Sequence, residues 1–285
     1  MNTPSQSDTI LVLGGTGKTG RRIAEQLLVL GYKTRIGSRS AEIPFDWNDQ
    51  DTWLAVLKDV KSVYISYQPD LAVPGAVETV QAFTDLAVSC GVQKLVLLSG
   101  RGEEEAQRSE DVVKASGVNW TILRASWFAQ NFSESFLLDA VLSGEIALPV
   151  AEIGEPFIDV DDIADVAVAA LTETGHAGQL YELTGPRLLT FKDVADEISA
   201  ASGRPVRFVQ VPAKDYEDGL IQAGLDEGFR ALLMYLLTTV LDGRNAHLTD
   251  GVLRALGRAP RDFAAYARAT AATGLWSGEQ MKQSA

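Results

Sequence analysis

The sequence predicts a doubly wound parallel α/β sheet joined to a smaller, mostly helical C-terminal lobe. Three observations carry this. From Thr9 onward, short apolar runs alternate with longer stretches of helical period, the signature of a parallel sheet covered by helices. The first run, "TILVLG", is apolar throughout rather than alternating, as a strand buried on both faces must be. A glycine-rich turn, "GGTGKTG", then leads directly into a helix.

The elements follow in order. After "TILVLG", Ile23, Leu27 and Leu30 mark one face of the first helix. "YKTRIGS" is the second strand, "DTWLAVLKDV" a helix or short crossover, and "KSVYISYQP" a strand interrupted by Pro69. Ala76, Val80, Phe83 and Ala87 line the next helix, "QKLVLLSG" the next strand, and a helix through Glu110, Val113 and Ala115 stops at Gly117. "VNWTILRAS" resumes extended structure, rich in β-branched and aromatic residues. "EPFIDVDDIADVAVAAL" is read as a short strand and then a helix, and "GQLYELTG" as a strand. "TFKDVADEISAASG" starts with a capping box of Thr190 and Asp193 and ends at Gly203, "PVRFVQVP" is a further short strand, and residues 213 to 273 are almost wholly helical in pattern. The expected organisation is a disordered 1–8, a dinucleotide-type domain over 9–155, a substrate lobe over 156–276 with some elements returning to the core, and a disordered 277–285.

A chain of 285 residues with 46% hydrophobic and 22% charged residues can bury a sizeable core. A formal net charge of −13 offers no basic footprint for nucleic acid. The single cysteine, Cys90, rules out a disulfide within the chain and sits among Leu86, Ala87, Val88 and Val92 as expected buried filler. His176 and His247 have no partner at metal-ligand spacing, so no metal is expected. No leader-like segment or long apolar run occurs, which predicts a cytoplasmic protein without a membrane partner. The helical C-terminal surface suits either a homodimer or a lid.

In the glycine turn, Gly15, Gly17 and Gly20 match G-x-G-x-x-G, while Gly14, Gly17 and Gly20 match the wider G-x-x-G-x-x-G. Because the turn follows a strand and opens a helix, backbone N–H groups at the helix start would face a pyrophosphate, with Thr16, Lys18 and Thr19 as added donors. The spacing is not that of a P-loop, which disfavours ATP hydrolysis. At the end of the second strand an NAD site usually places an acid against the ribose 2′-hydroxyl. Here stand Ser38 and Arg39. Arg39 could pair with a 2′-phosphate, which favours NADP(H) and leaves NAD(H) as the alternative.

The stretches "LVLGGTGKTGRRIAEQL", "LVLLSG", "SGVNWTILRASWFAQNF", "EPFIDVDDIADVAVAAL" and "LYELTGPRLLTFKDVADEISAASGR" resemble the NmrA-like branch of the atypical short-chain dehydrogenase/reductases, which have a Rossmann fold. "GRAPRDFAAYARATAATGLW" is similar to the end of secondary-metabolism members, including reductases of ergot-alkaloid type. The resemblance implies that Gly14 to Gly20 hold the pyrophosphate, Arg39 selects the adenosine ribose end, and Asp46 and Trp47 lie beside the adenine. It implies that Ser66, Tyr67 and Gln68 flank the nicotinamide ribose, with Ser99, Gly100 and Arg101 at the next strand end. Ser126, Trp127 and Phe128 would lie near the nicotinamide, with Asn131 and Phe132 turning into a substrate cleft.

Ordinary short-chain reductases use Tyr-x-x-x-Lys, whose lysine lowers the tyrosine pKa for proton exchange. No tyrosine here has a lysine four residues later. That disfavours simple ketone chemistry and favours acceptors that tolerate hydride without an acid: quinones, polarised enones and iminium ions. Tyr67, Trp127, Phe128 and Phe132 would stack a flat aromatic substrate, and Tyr67 or Ser99 remains as proton donor. Two rivals stand beside this reductase: a dinucleotide-sensing regulator without turnover, and an oxidative tailoring enzyme in which a reduced quinone reacts onward with oxygen.

Overall fold

The computed structural model describes residues 8–277. The termini expected to be disordered, 1–8 and 277–285, fall almost entirely outside the described residues. In chain order the elements are β1 (Thr9–Leu13), α1 (Lys18–Val29), β2 (Lys33–Gly37), α2 (Trp53–Leu57), β3 (Val60–Ile65), α3 (Ala76–Ser89), β4 (Lys94–Gly100), α4 (Glu104–Lys114) and β5 (Asn119–Ala125). There follow α5 (Leu138–Ser143), β6 (Glu145–Leu148), α6 (Val160–Thr172), β7 (Gln179–Leu183), α7 (Phe191–Ser202) and β8 (Arg207–Gln210). The chain ends in α8 (Ala213–Gln222), α9 (Glu227–Tyr235), α10 (Gly251–Leu256) and α11 (Phe263–Ala272).

Six strands form one parallel sheet in the order β2-β1-β3-β4-β5-β7. The chain starts at β1, moves outward to β2 and then crosses to β3, which creates the reversal of strand order where open α/β sheets bind ligands. Every residue of β1 is buried, as its unbroken apolar run requires. The edge strand β2 carries its charges at Lys33 and Arg35, and Arg35 donates to the carbonyls of Val56 and Lys58 at 2.7 and 2.6 Å.

The chain divides into two compact units, and both are discontinuous in sequence. Unit 1 comprises residues up to Ala125, Val160–Leu183 and Asp250–Arg258; unit 2 comprises Ser126–Asp159, Thr184–Thr249 and the chain from Ala259 on. Residues 160–183 and 250–258 thus belong with unit 1, and 126–155 with unit 2. The reason is strand pairing: β7 pairs along its whole length with Thr121–Ala125 of β5, which keeps 160–183 with the sheet. Within unit 1 the core joins Leu11, Leu13, Val63, Leu95 and Leu97 of the sheet to Val80 and Phe83 of α3. Unit 2 has its own core, in which Phe132, Phe157, Phe191 and Phe263 meet edge to face.

Two further expectations are corrected. The strand expected in "EPFID" is reduced to single bridges, Glu155 to Leu189 and Phe128 to Ile158, since Pro156 has no N–H to extend a ladder. Cys90 is half-buried at the end of α3, packed against the core's margin rather than inside it. Among the described residues no helix is long and apolar enough to cross a membrane.

Candidate functional site

The glycine turn is built by close approaches that only glycine permits. Gly14 adopts φ +65°, in the left-handed region. The N–H groups of Gly14 and Gly15 both donate to the Gly37 carbonyl, at 2.9 and 3.4 Å, which ties the turn to the end of β2. A Cβ on Gly20 would lie 2.2 Å from the Gly14 carbonyl oxygen, and one on Gly15 would lie 2.8 Å from Ile36. The first turn of α1 can thus lie flat against the loop.

The start of α1 fits a pyrophosphate. Gly17 supplies no side-chain cap, and the first turn contains no acid. Orphan N–H groups and the positive end of the helix dipole favour an anion there. Thr16 is exposed and Lys18 half-buried at this end. Thr19 departs from expectation: it is buried beneath the helix, where its hydroxyl accepts a 2.9 Å hydrogen bond from Tyr64. Its role is to seat α1 on β3 rather than to face a ligand.

Beyond β2, Ser38 is half-buried and Arg39 exposed. The "FDW" turn is held from within. Trp47 is buried among Phe45, Trp53 and Phe83, and its indole N–H donates to the Ser66 carbonyl at 3.2 Å. Asp46 holds the turn together: its carbonyl accepts from the Trp53 indole at 2.8 Å and its carboxylate from the Asn48 N–H at 2.9 Å. At the end of β3, Ser66 and Tyr67 are half-buried and Gln68 exposed. The Tyr67 ring packs 5.0 Å from that of Trp47.

At the end of β4, Ser99 is buried and donates to Glu110 Oε1 at 2.7 Å. Glu110 also receives Arg124 through Nε and Nη2 at 2.7 and 2.6 Å, and Lys114 at 3.2 Å. Within this cluster Ser99 turns its hydroxyl proton toward Glu110, with its lone pairs left over. Arg124 reaches on to Glu182 at 2.9 Å, and buried Arg101 pairs with Glu182 at 3.5 Å. Arg101 is thus part of the floor of the strand ends. Gly100 lies under the side chain of Glu103.

A second acid pair was missed in the sequence. Asp70, beyond the end of β3, and Glu103, beyond the end of β4, influence each other's ionisation. Burial pushes both carboxyls up; for Glu103 the charge of Asp70 adds to the effect and carries it well above the usual range, while the Ala72 N–H draws Asp70 partly back. The run "GEEEAQR" signals a solvated helix face, which hid the one acid of the three that turns inward.

In unit 2, Ser126 is buried, Trp127, Phe128 and Asn131 are half-buried, and the Trp127 N–H donates to Glu155 at 3.4 Å. Phe132 is fully buried in the phenylalanine cluster, and its carbonyl accepts from the Trp276 indole at 3.0 Å. It has no exposed face to line a cleft, so it is a core residue.

The model of the NmrA-like family matches residues 6–239. The chain is 34% identical to agroclavine dehydrogenase of Claviceps fusiformis over 279 residues, covering 90% of this chain and 95% of that protein. It is 31% identical to NAD(P)H azoreductase of Xenophilus azovorans, covering 92% and 98%. Its fold matches Citrobacter sp. triphenylmethane reductase, solved in complex with NADP(H), with a TM-score of 0.72 at 18% identity, over 92% of this chain and 99% of that one. An α/β sheet of this order, a glycine turn sealed by Gly14 and Gly20, and a family match over most of the length have one conclusion: the chain belongs to the NmrA-like family.

Proposed function

We propose that this chain is an NAD(P)H-dependent oxidoreductase acting on a planar, conjugated acceptor such as a quinone, an enone or an iminium ion. The observation that carries the reading is the open start of α1, with its glycine turn and no acid or side-chain cap to compete with a pyrophosphate. The bound reduced nicotinamide would supply the hydride. The chain's own residues do the rest: Gly14 to Gly20 and Lys18 hold the diphosphate, Arg39 meets the adenosine ribose end, and the ends of β3 and β4 receive the nicotinamide half. Ser66, Tyr67, Gln68 and Gly100 stand at those ends. Trp127, Phe128 and Asn131 are the unit 2 residues proposed for the substrate.

The acceptor class is supported by two features. The chain has no Tyr-x-x-x-Lys, and relatives named for azo and triphenylmethane reduction act on extended conjugated systems. The test is incubation of the purified protein with NADPH and a panel of quinones, enones and iminium ions, following loss of the reduced-nicotinamide absorbance. Consumption with at least one acceptor is expected. Tight cofactor binding with no consumption across the panel would replace the enzyme by a sensor. In the same assay Arg39→Ala should weaken NADPH by about tenfold or more while leaving NADH little changed, since a charge-assisted hydrogen bond contributes roughly 1.5–3 kcal/mol.

A further inference from the structure

Unit 2 contains a two-stranded ribbon whose two faces differ. β6 and β8 run parallel, with Ile146 opposite Phe208 and Ala147 opposite Val209. Side chains alternate along a strand, so Ile146, Leu148 and Phe208 share one face, which packs into the phenylalanine core. Ala147 stands on the other face, the one α8 approaches. The helix does not close over it. None of the 10 residues of α8 is buried, and helix and ribbon enclose a cavity of about 280 Å³ lined by Ala147, Val211, Asp215, Tyr216, Gly219 and Leu220.

We propose that this cavity binds a small apolar ring compound carrying a protonated amine, with Asp215 as its counter-ion. The walls select the apolar part. Ala147, Val211 and Leu220 supply aliphatic surface, and Tyr216, which packs against the unit 2 core, supplies an aromatic one. The volume lies just under that of ordinary small-molecule pockets, about 300 Å³ and upward. One or two fused rings fit such a space; a dinucleotide does not.

The polar groups select the charge. Asp215 is exposed and stands in the first turn of α8, where the helix dipole favours its ionised form. Lys214, next to it in the chain, is drawn to Asp218 at 2.5 Å, and Arg207 on the ribbon pairs with Glu145 at 2.5 Å. No basic side chain lines the cavity, so its rim attracts a cation and repels an anion. Burial raises the pKa of the Tyr216 hydroxyl, which therefore stays a neutral phenol able to share a hydrogen bond.

Gly219 is the telling residue. Glycine weakens a helix interior, and no close contact requires it here: a Cβ at this position would meet nothing within 4 Å. What glycine does is keep the cavity open. Trp127, Phe128 and Asn131, proposed for the acceptor, are not among the lining residues. The site thus goes beyond the reductase reading and does not rest on it.

Titration of the cofactor-free protein with naphthylmethylamine, protonated at neutral pH and followed by amide NMR shifts, tests the assignment. Saturable shifts centred on Gly219 and Leu220 are expected, with a Kd below about 1 mM. Naphthylmethanol, which has the same shape without the charge, should bind about tenfold more weakly, the scale of one partly screened charge-assisted hydrogen bond. Naphthoate should bind more weakly still. Asp215→Asn should erase the preference for amine over alcohol. Gly219→Leu should fill the cavity and abolish binding of both, while the melting temperature stays at or above that of wild type because leucine favours the helix. A retained melting temperature separates loss of the cavity from loss of the fold. Absence of saturable binding, amine binding untouched by Gly219→Leu, an undiminished amine preference in Asp215→Asn, or binding lost in Trp127→Ala instead would each overturn the proposal. No NADPH is present, so none of these outcomes bears on the reductase reading.

Discussion

Two helices of equal length in this chain begin in opposite ways. α7 is closed: Thr190 Oγ1 accepts from the Asp193 N–H at 3.1 Å, and Asp193 Oδ2 accepts from the Thr190 N–H at 2.9 Å. The Thr190 hydroxyl, which donates to Asp193 Oδ2 at 2.7 Å, and then the Thr190 N–H hold the Asp193 carboxyl below its usual range. α1 is open, with glycine at the N-cap and no acid in its first turn. The chain caps α9 with Asp226 and α11 with Asp262 as well, while α2, α3, α4, α5, α8 and α10 have no side-chain cap. α1 is left without one where the glycine turn brings backbone N–H groups to a strand end. An open start is therefore not a binding feature by itself; what sets α1 apart from α7 is the glycine turn ahead of it, on which the proposed diphosphate site rests.

The largest way to break the comparison is Gly20→Ala. Its Cβ would meet backbone, the Gly14 carbonyl oxygen at 2.2 Å, rather than a side chain that can swing away. Lifting α1 off the turn should cost up to about 3 kcal/mol of stability, the scale of overpacking. NADPH binding should weaken at least about tenfold, or 1.4 kcal/mol. Denaturant unfolding and a fluorescence titration read the two effects; unchanged affinity would detach the turn from the cofactor.

α4 begins in a third way: its N-cap Glu103 makes no capping bond, and its carboxyl lies over Gly100, where burial first and then the charge of Asp70 push it well above the usual range. Its raised pKa has a defined sign for stability. Above the ordinary glutamate value the unfolded chain has lost this proton while the folded one keeps it, so stability falls as pH rises. The loss continues until pH passes the raised folded value. In Glu103→Gln this part of the slope should vanish. Unfolding free energies of both proteins over a pH series check it, and parallel curves would show that Glu103 in the folded chain holds no extra proton.

The legible parts of the molecule are those governed by periodicity and by turn chemistry. β1 is readable because burial on both faces demands an unbroken apolar run, and the Thr190–Asp193 box because a cap is local in sequence. Trp47 and Phe132 were misplaced because an aromatic at a strand end looks the same whether it faces a ligand or the core. Only packing against Phe83, or against Phe157 and Phe191, distinguishes them. Glu110 and Arg124 were invisible as partners: they stand on different elements, and their contact follows from β4 lying beside β5. The unit boundaries escaped for the same reason, since a strand's allegiance is decided by its pairing.

Thr190→Ala tests the closed start. Loss of the cap should cost about 1 kcal/mol of stability and leave NADPH affinity unchanged, as read by the same unfolding and titration measurements. A change in affinity would mean that α7 is not the purely structural member of the pair.

The smallest stability effect is expected for Lys18→Glu, and it is the sharpest because its two consequences have opposite signs. An acid in the first turn of α1 complements the helix dipole and should stabilise the cofactor-free protein by about 0.3–1 kcal/mol. The same charge would face a diphosphate, and NADPH should bind more weakly, with salt reducing the difference between variant and wild type. In α7 an acid near the helix start already serves folding alone. If Lys18→Glu stabilises the free protein and weakens NADPH, the open start of α1 is maintained for its ligand at the expense of the fold. If it stabilises without weakening, the two helix starts differ only in sequence and not in purpose.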